Sequence, residues 1–128
     1  FQTNTLGPII ATRALLPLLR RGTRKQVVAV SSQLGSIANT QTAGYADYRM
    51  SKAALNMALK LLSNELAPES FHVLILHPGH VATDMGGASA PVQVDDSVAG
   101  MLDVITSAAK PTTPSGAFMD WRGNALPW

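Results

Sequence analysis

Two short segments, Gln26–Ser32 and Phe71–Leu76, are β-branched and apolar without the alternation of a half-wet strand. That is how strands covered on both faces read. Between them, Tyr45 to Ala67 contains neither Gly nor Pro, is rich in Ala, Leu and Met, and stops before Pro68. Strands joined by such a helix return in parallel, because a crossover is the only short route back to the same sheet edge. Residues 5–19 place Leu6, Ile9, Ile10, Ala14, Leu15, Leu18 and Leu19 near helical spacing, with Gly22 as a stop and Pro17 expected to bend or shorten the helix. Val94 to Ala109 reads as a weaker helix and Gly116–Trp121 as a last strand. The expectation is one α/β domain over residues 1–128, with about three parallel strands and three helices. The Gly/Ala/Ser/Pro stretch from Val81 to Gln93 is long for a connector and is read as a substrate loop or lid.

Composition narrows the function classes. The chain has 46% hydrophobic and 14% charged residues, too apolar for a disordered segment. Its apolar runs are too short to cross a bilayer, no signal-peptide pattern is read, and zero Cys points to a reducing, cytoplasmic setting. The chain opens at Phe1 without Met, and the expectation is that it begins partway through a longer protein. Residues 1–60 hold eight of the ten Lys and Arg, yet the run Arg20, Arg21, Arg24, Lys25 follows a helix, where cations complement the carbonyl end. No aromatic is interleaved with it, so nucleic acid is not expected as a partner. No His, Asp or Glu set has metal spacing. His72 and His77 read as packed histidines, Met50, Met57, Leu61 and Leu62 as helix packing with some weight on a dimer face, and Trp121 and Trp128 as core or interface anchors.

Tyr48 and Lys52 lie four apart on the long helix and so project from one face. A free phenol exchanges protons poorly at neutral pH, and a nearby ammonium favours the phenolate, so the pair is a candidate acid/base unit. Alone it is a weak signal. Ser31-Ser32, however, ends the first predicted strand and Pro78-Gly79-His80-Val81-Ala82-Thr83 follows the second, which puts both on the rim where open parallel sheets bind ligands. A hydroxyl there can hold a carbonyl or alcohol oxygen while the phenol exchanges the proton.

Four segments in order, Asn4-Thr5-Leu6-Gly7-Pro8, Val30-Ser31-Ser32-Gln33-Leu34-Gly35, Tyr45 to Asn56, and His77 to Met85, resemble the C-terminal half of a short-chain dehydrogenase/reductase. The Tyr-Arg-x-Ser-Lys pattern, Thr-Asp-Met-Gly-Gly and Leu126-Pro127-Trp128 look most like the sniffer-type carbonyl reductases. The resemblance implies the C-terminal half of a doubly wound Rossmann-type sheet. It implies Tyr48 as general acid/base, Lys52 as its cationic neighbour and nicotinamide-ribose ligand, Ser32 as the group orienting the substrate oxygen, and Asn4 as the holder of a relay water. Pro78, Gly79, Val81 and Thr83 match the segment against the nicotinamide, and Gln33, His80 and Met85 fall toward the substrate. The implied cofactor is NADP(H) or NAD(H), and the implied partners are a small carbonyl or alcohol substrate and a dimer or tetramer formed through helices 5–19 and 45–67, or an upstream half-chain.

The family's nucleotide half should precede Asn4 and is absent, and none of the ten glycines forms G-x-x-x-G-x-G or G-x-G-x-x-G. Without that loop the 128 residues alone are expected not to bind a dinucleotide tightly. The leading reading is an NAD(P)-dependent carbonyl reductase or alcohol dehydrogenase, seen as a fragment or truncated form. The alternative is a truncated enzyme that keeps Tyr48, Lys52 and Ser32 for cofactor-free acid/base work, as an isomerase, dehydratase or cyclase. A third is a non-catalytic remnant that only dimerises.

Overall fold

The computed structural model describes residues 1–107 and 113–128. Helix α1 (Gly7–Arg21) leads into β1 (Gln26–Val30), α2 (Ala46–Leu66), β2 (His72–His77), α3 (Val94–Ser107) and β3 (Ala117–Asp120). The strands form one parallel sheet in the order β1-β2-β3, with Val27 opposite Val73 and Ile75 opposite Phe118. The last residues of the expected third helix, Ala108 and Ala109, lie outside the described residues.

Strand alternation divides the molecule into layers. Val27, Val73, Ile75 and Phe118 face α1 and α2, where they pack with Leu16, Leu55, Leu59, Leu62 and Leu66. The four α2 leucines recur at the spacing of one helix face. Leu74 and Leu76 point to the opposite face and are also fully buried. On that side Gln26 Nε2 donates to the Ile105 carbonyl of α3 at 3.2 Å, so helices flank the sheet on both faces.

Several local expectations are corrected. The first helix begins with a π-helical turn, Gln2–Leu6, and runs on to Arg21 with Pro17 inside it. A proline is tolerated there because its ring lies on the exposed side. The core residue of α1 is Leu16; Ile10 and Leu18 on the anticipated apolar face are 65% and 61% exposed. Met50, Met57 and Leu61 on α2 are likewise exposed, and only Leu62 of that group packs inward. The segment after Val81 is a compact loop, closed by a parallel bridge between Val81 and Val92 and anchored by buried Ala90. Of the basic run, Arg20 makes a bidentate pair with Glu69 at 2.7 and 2.8 Å, and Lys25 Nζ donates to the Glu69 carbonyl at 3.1 Å. These are protein contacts at the end of a helix.

β1 pairs only with β2 among the described residues, so its other edge is open. A groove of about 390 Å³ runs along that edge, lined by Pro8, Ala11, Leu15, Leu19, Val28 and Val30. No described helix is long and apolar enough to cross a membrane.

Candidate active site

The site is assembled on α2 at the C-terminal end of β1. Lys52 Nζ donates to the Val30 carbonyl at 3.2 Å and lies 5.7 Å from the centroid of the Tyr48 ring. Partial burial holds the Lys52 ammonium below the usual lysine value. One of its three protons is taken by Val30, which leaves donors for a ligand's hydroxyls. Among the described residues the Tyr48 hydroxyl has no protein partner, so its proton is free to move to or from a bound molecule.

Asn4 reaches the same face of α2 through an unusual turn. In an α-helix the Asn4 carbonyl would accept from the N–H of residue 8, but Pro8 has none and its ring crowds that carbonyl. The chain answers with the π-helical turn, in which the Leu6 N–H bonds to the Phe1 carbonyl at 3.1 Å. Such turns recur at functional sites. The Asn4 side chain donates to Ser51 Oγ at 3.2 Å and Thr5 Oγ1 to the Ser51 carbonyl at 2.8 Å, while Ser51 Oγ donates to the Tyr48 carbonyl at 2.8 Å. Ser51 therefore ties the turn to the helix beside Tyr48 and Lys52. The sequence reading did not single it out, although it lies between them.

The two adjacent serines are distinguished by their partners. Ser31 is buried and donates to Asn56 Oδ1 at 2.5 Å, so its proton is committed to the protein. Ser32 Oγ accepts from the Leu34 N–H at 3.1 Å, capping the short Gln33–Gly35 turn, and donates to no protein acceptor among the described residues. Ser32 is thus the serine with a hydroxyl proton to offer. Gln33 is exposed at the start of the same turn.

The Pro78-Gly79 turn leaves β2 on the same rim. Gly79 has φ +91°, and a Cβ there would sit 2.9 Å from Trp121 Nε1. A Cβ at Gly100 would sit 2.5 Å from Trp121 Cε3. Trp121 is therefore seated between two glycines far apart in sequence, an arrangement that neither glycine signals alone. Ser97 Oγ donates to the Pro78 carbonyl at 2.6 Å and fixes the turn from α3. Further along, Thr83 Oγ1 accepts from the Gly86 N–H at 3.1 Å, and His80 Nε2 lies 2.8 Å from the Gly86 carbonyl. Thr83 and His80 are thus engaged within their own loop, and Met85 is 87% exposed.

His77 ends β2 opposite Asp120, and its buried Nδ1 has no hydrogen-bond partner among the described residues. Burial lowers its proton affinity below the ordinary value of 6.5, with the Asp120 carboxylate opposing in part. The unfolded chain therefore binds this proton at a pH where the folded chain does not, and stability must fall as pH drops below about 6.5. Melting temperatures between about pH 7.5 and 5.5 are expected to decline in the parent and to decline less in His77→Leu; parallel curves would contradict this. His72 instead places Nε2 2.9 Å from the Thr113 carbonyl.

The short chain dehydrogenase family model matches residues 1–93. The chain belongs to the short-chain dehydrogenase family. It is 50% identical over 129 residues to the C-signal protein of Myxococcus xanthus, covering all of this chain and 76% of that one. Among solved structures it superposes on the carbonyl reductase Sniffer of D. melanogaster with a TM-score of 0.91 at 37% identity, over 99% of this chain and 55% of that one. An NADPH-bound carbonyl reductase from chicken fatty liver follows at TM-score 0.86 and 35% identity, covering 98% and 54%. The chain thus spans about half the length of these reductases. The expected three-stranded parallel half-sheet of this family is what the structure contains.

Proposed function

We propose that this chain is the catalytic half of a nicotinamide-dependent reductase of small carbonyl compounds, working in reverse on the corresponding alcohols. The observation that carries the reading is the Tyr48–Lys52 pair held against the end of β1 beside a serine with an uncommitted proton. NADP(H) is the favoured cofactor because carbonyl reductases similar to this chain are described with it bound. The residues present suit its nicotinamide end: Lys52 offers N–H donors to ribose hydroxyls, and Pro78, Gly79, Val81 and Thr83 lie on the segment that leaves β2 at the same rim. Phosphate and adenosine contacts must come from outside these residues, since no glycine-rich phosphate loop is present.

When bound, the reduced nicotinamide supplies the hydride. Ser32 donates a hydrogen bond to the substrate oxygen and fixes its direction. As the carbonyl π bond breaks and a C–H bond forms at carbon, the Tyr48 phenol gives its proton to the oxygen. Lys52 favours the phenolate left behind. Asn4, tied through Ser51 to the helix beside Tyr48, is assigned to hold a water that returns the proton. Gln33, His80 and Met85 lie on the loops around this centre and are assigned to substrate selection. The exposed faces of α1 and α2 are assigned to a homo-oligomer contact, and the cysteine-free chain to the cytoplasm. Cofactor-free isomerisation, dehydration or cyclisation finds no support in the names of the relatives.

The role of Lys52 is tested by cofactor kinetics in the natural full-length protein. Lys52→Met is expected to lower kcat/KM for the cofactor by about 10–100-fold, because the ribose hydroxyls lose a charged N–H donor. Unchanged cofactor kinetics would contradict the assignment.

A further inference from the structure

Tyr48, Lys52 and Asn56 follow one another at four-residue steps, so all three emerge from one stripe of α2. The first two belong to the candidate active site, and the third stands one turn beyond them. Asn56 is 2% exposed, yet it carries a polar amide into the core. Its Oδ1 accepts from the buried Ser31 hydroxyl at 2.5 Å, and its Nδ2 reaches toward the Gly35 carbonyl at 3.5 Å, a weak contact. Gly35 itself lies on the helix backbone: a Cβ there would meet the Lys52 carbonyl carbon at 2.8 Å and Asn56 Nδ2 at 3.0 Å. Ser32 lies between these attachments. Val30 is bonded to Lys52, Ser31 to Asn56, and Gly35 packs on Lys52 and Ala53, while Ser32 makes no bond of its own to α2 among the described residues.

We propose that Asn56 is a positioning residue: by pinning Ser31 and the Gly35 turn to α2, it sets where the Ser32 hydroxyl stands relative to Tyr48 and Lys52. This rests on the reading of the site given above. A buried amide–hydroxyl bond is suited to the task, because no water competes for it and breaking it leaves an unpaired polar group. Its loss leaves the backbone turn of Ser32 in place but frees it to shift, and displacements of about 1 Å in such sites can cost on the order of a hundredfold in rate.

The test is a double-mutant cycle in the natural full-length protein, with Asn56→Ala, Ser31→Ala and Ser32→Ala alone and combined, read by kcat and KM together with amide hydrogen exchange. Ser31→Ala breaks the same bond with a smaller deletion and serves where Asn56→Ala folds poorly. Asn56→Ala and Ser31→Ala are each expected to lower kcat about 10–100-fold, with KM for the cofactor unchanged and faster exchange at the Leu34, Gly35 and Ser36 amides. In the Ser32→Ala background either change is expected to cost no more than about twofold, since the hydroxyl it positions is gone. An equal loss with and without Ser32 would overturn the proposal and leave Asn56 a structural residue, as would unchanged exchange in the 34–36 turn. A parent protein that turns over no carbonyl or alcohol would overturn the reading of the site itself, and the proposal with it.

Discussion

Tyr48→Phe in the natural full-length protein is expected to lower carbonyl reduction by about 10²–10⁴-fold, the usual range for a general acid/base group. The substitution removes one hydroxyl and leaves the ring that lies 5.7 Å from Lys52 Nζ. That hydroxyl makes no protein hydrogen bond among the described residues, so the melting temperature should move little. Steady-state kinetics and thermal melting on the same preparation check both halves of the expectation. Activity within a fewfold of the parent would remove Tyr48 from the mechanism. A large loss of activity accompanied by a collapse of the melting transition would show that the hydroxyl has a structural role the contacts do not reveal.

The second large effect concerns the isolated 128-residue chain, which is expected to associate rather than persist as a monomer. Among the described residues β1 has an unpaired edge, and an apolar strand edge of this kind is a template for pairing with another chain. Beside it run the groove lined by Leu15, Leu19, Val28 and Val30 and the exposed Ile10 and Leu18 of α1. On α2, Met57 and Leu61 add a further exposed apolar face. Covering surfaces like these removes on the order of 1,000 Å² or more from water, the scale of a specific interface. Sedimentation at micromolar concentration should therefore show dimers or larger species. A compact 13.5 kDa monomer with a cooperative melt would contradict the expectation.

Much of the architecture was legible because two signals agree at each element. α2 has the right leucine spacing and lacks breakers; β1 and β2 are continuous apolar runs; helical spacing puts Tyr48 and Lys52 on one face of α2, while their roles came from the family resemblance. The helix faces were less legible. Periodicity marks which side of α1 is apolar, but not that Leu16 is buried and Leu19 partly so while Ile10 and Leu18 remain outside. The π-helical turn had a readable cause, since Pro8 lies four residues after Asn4, yet Pro near a helix start is ordinarily harmless. Ser51 and Asn56 were hidden for a different reason. Their importance lies in long-range hydrogen bonds to Asn4 and Ser31, and nothing in a polar residue's position announces a partner many residues away. The seat of Trp121 between Gly79 and Gly100 is of the same kind, because it exists only once β3 and α3 have folded against the rim.

The most direct test of the central claim is the fate of a deuterium label carried as the transferable hydride of reduced NADP, supplied with a small ketone to the natural full-length protein. Hydride transfer at a Tyr48–Ser32 site predicts an alcohol bearing the deuterium on its carbinol carbon, formed in equal amount to the oxidised cofactor and lost in Tyr48→Phe. Product that carries no deuterium, or no turnover of cofactor at all, would contradict it and leave the acid/base residues to a chemistry that needs no nicotinamide.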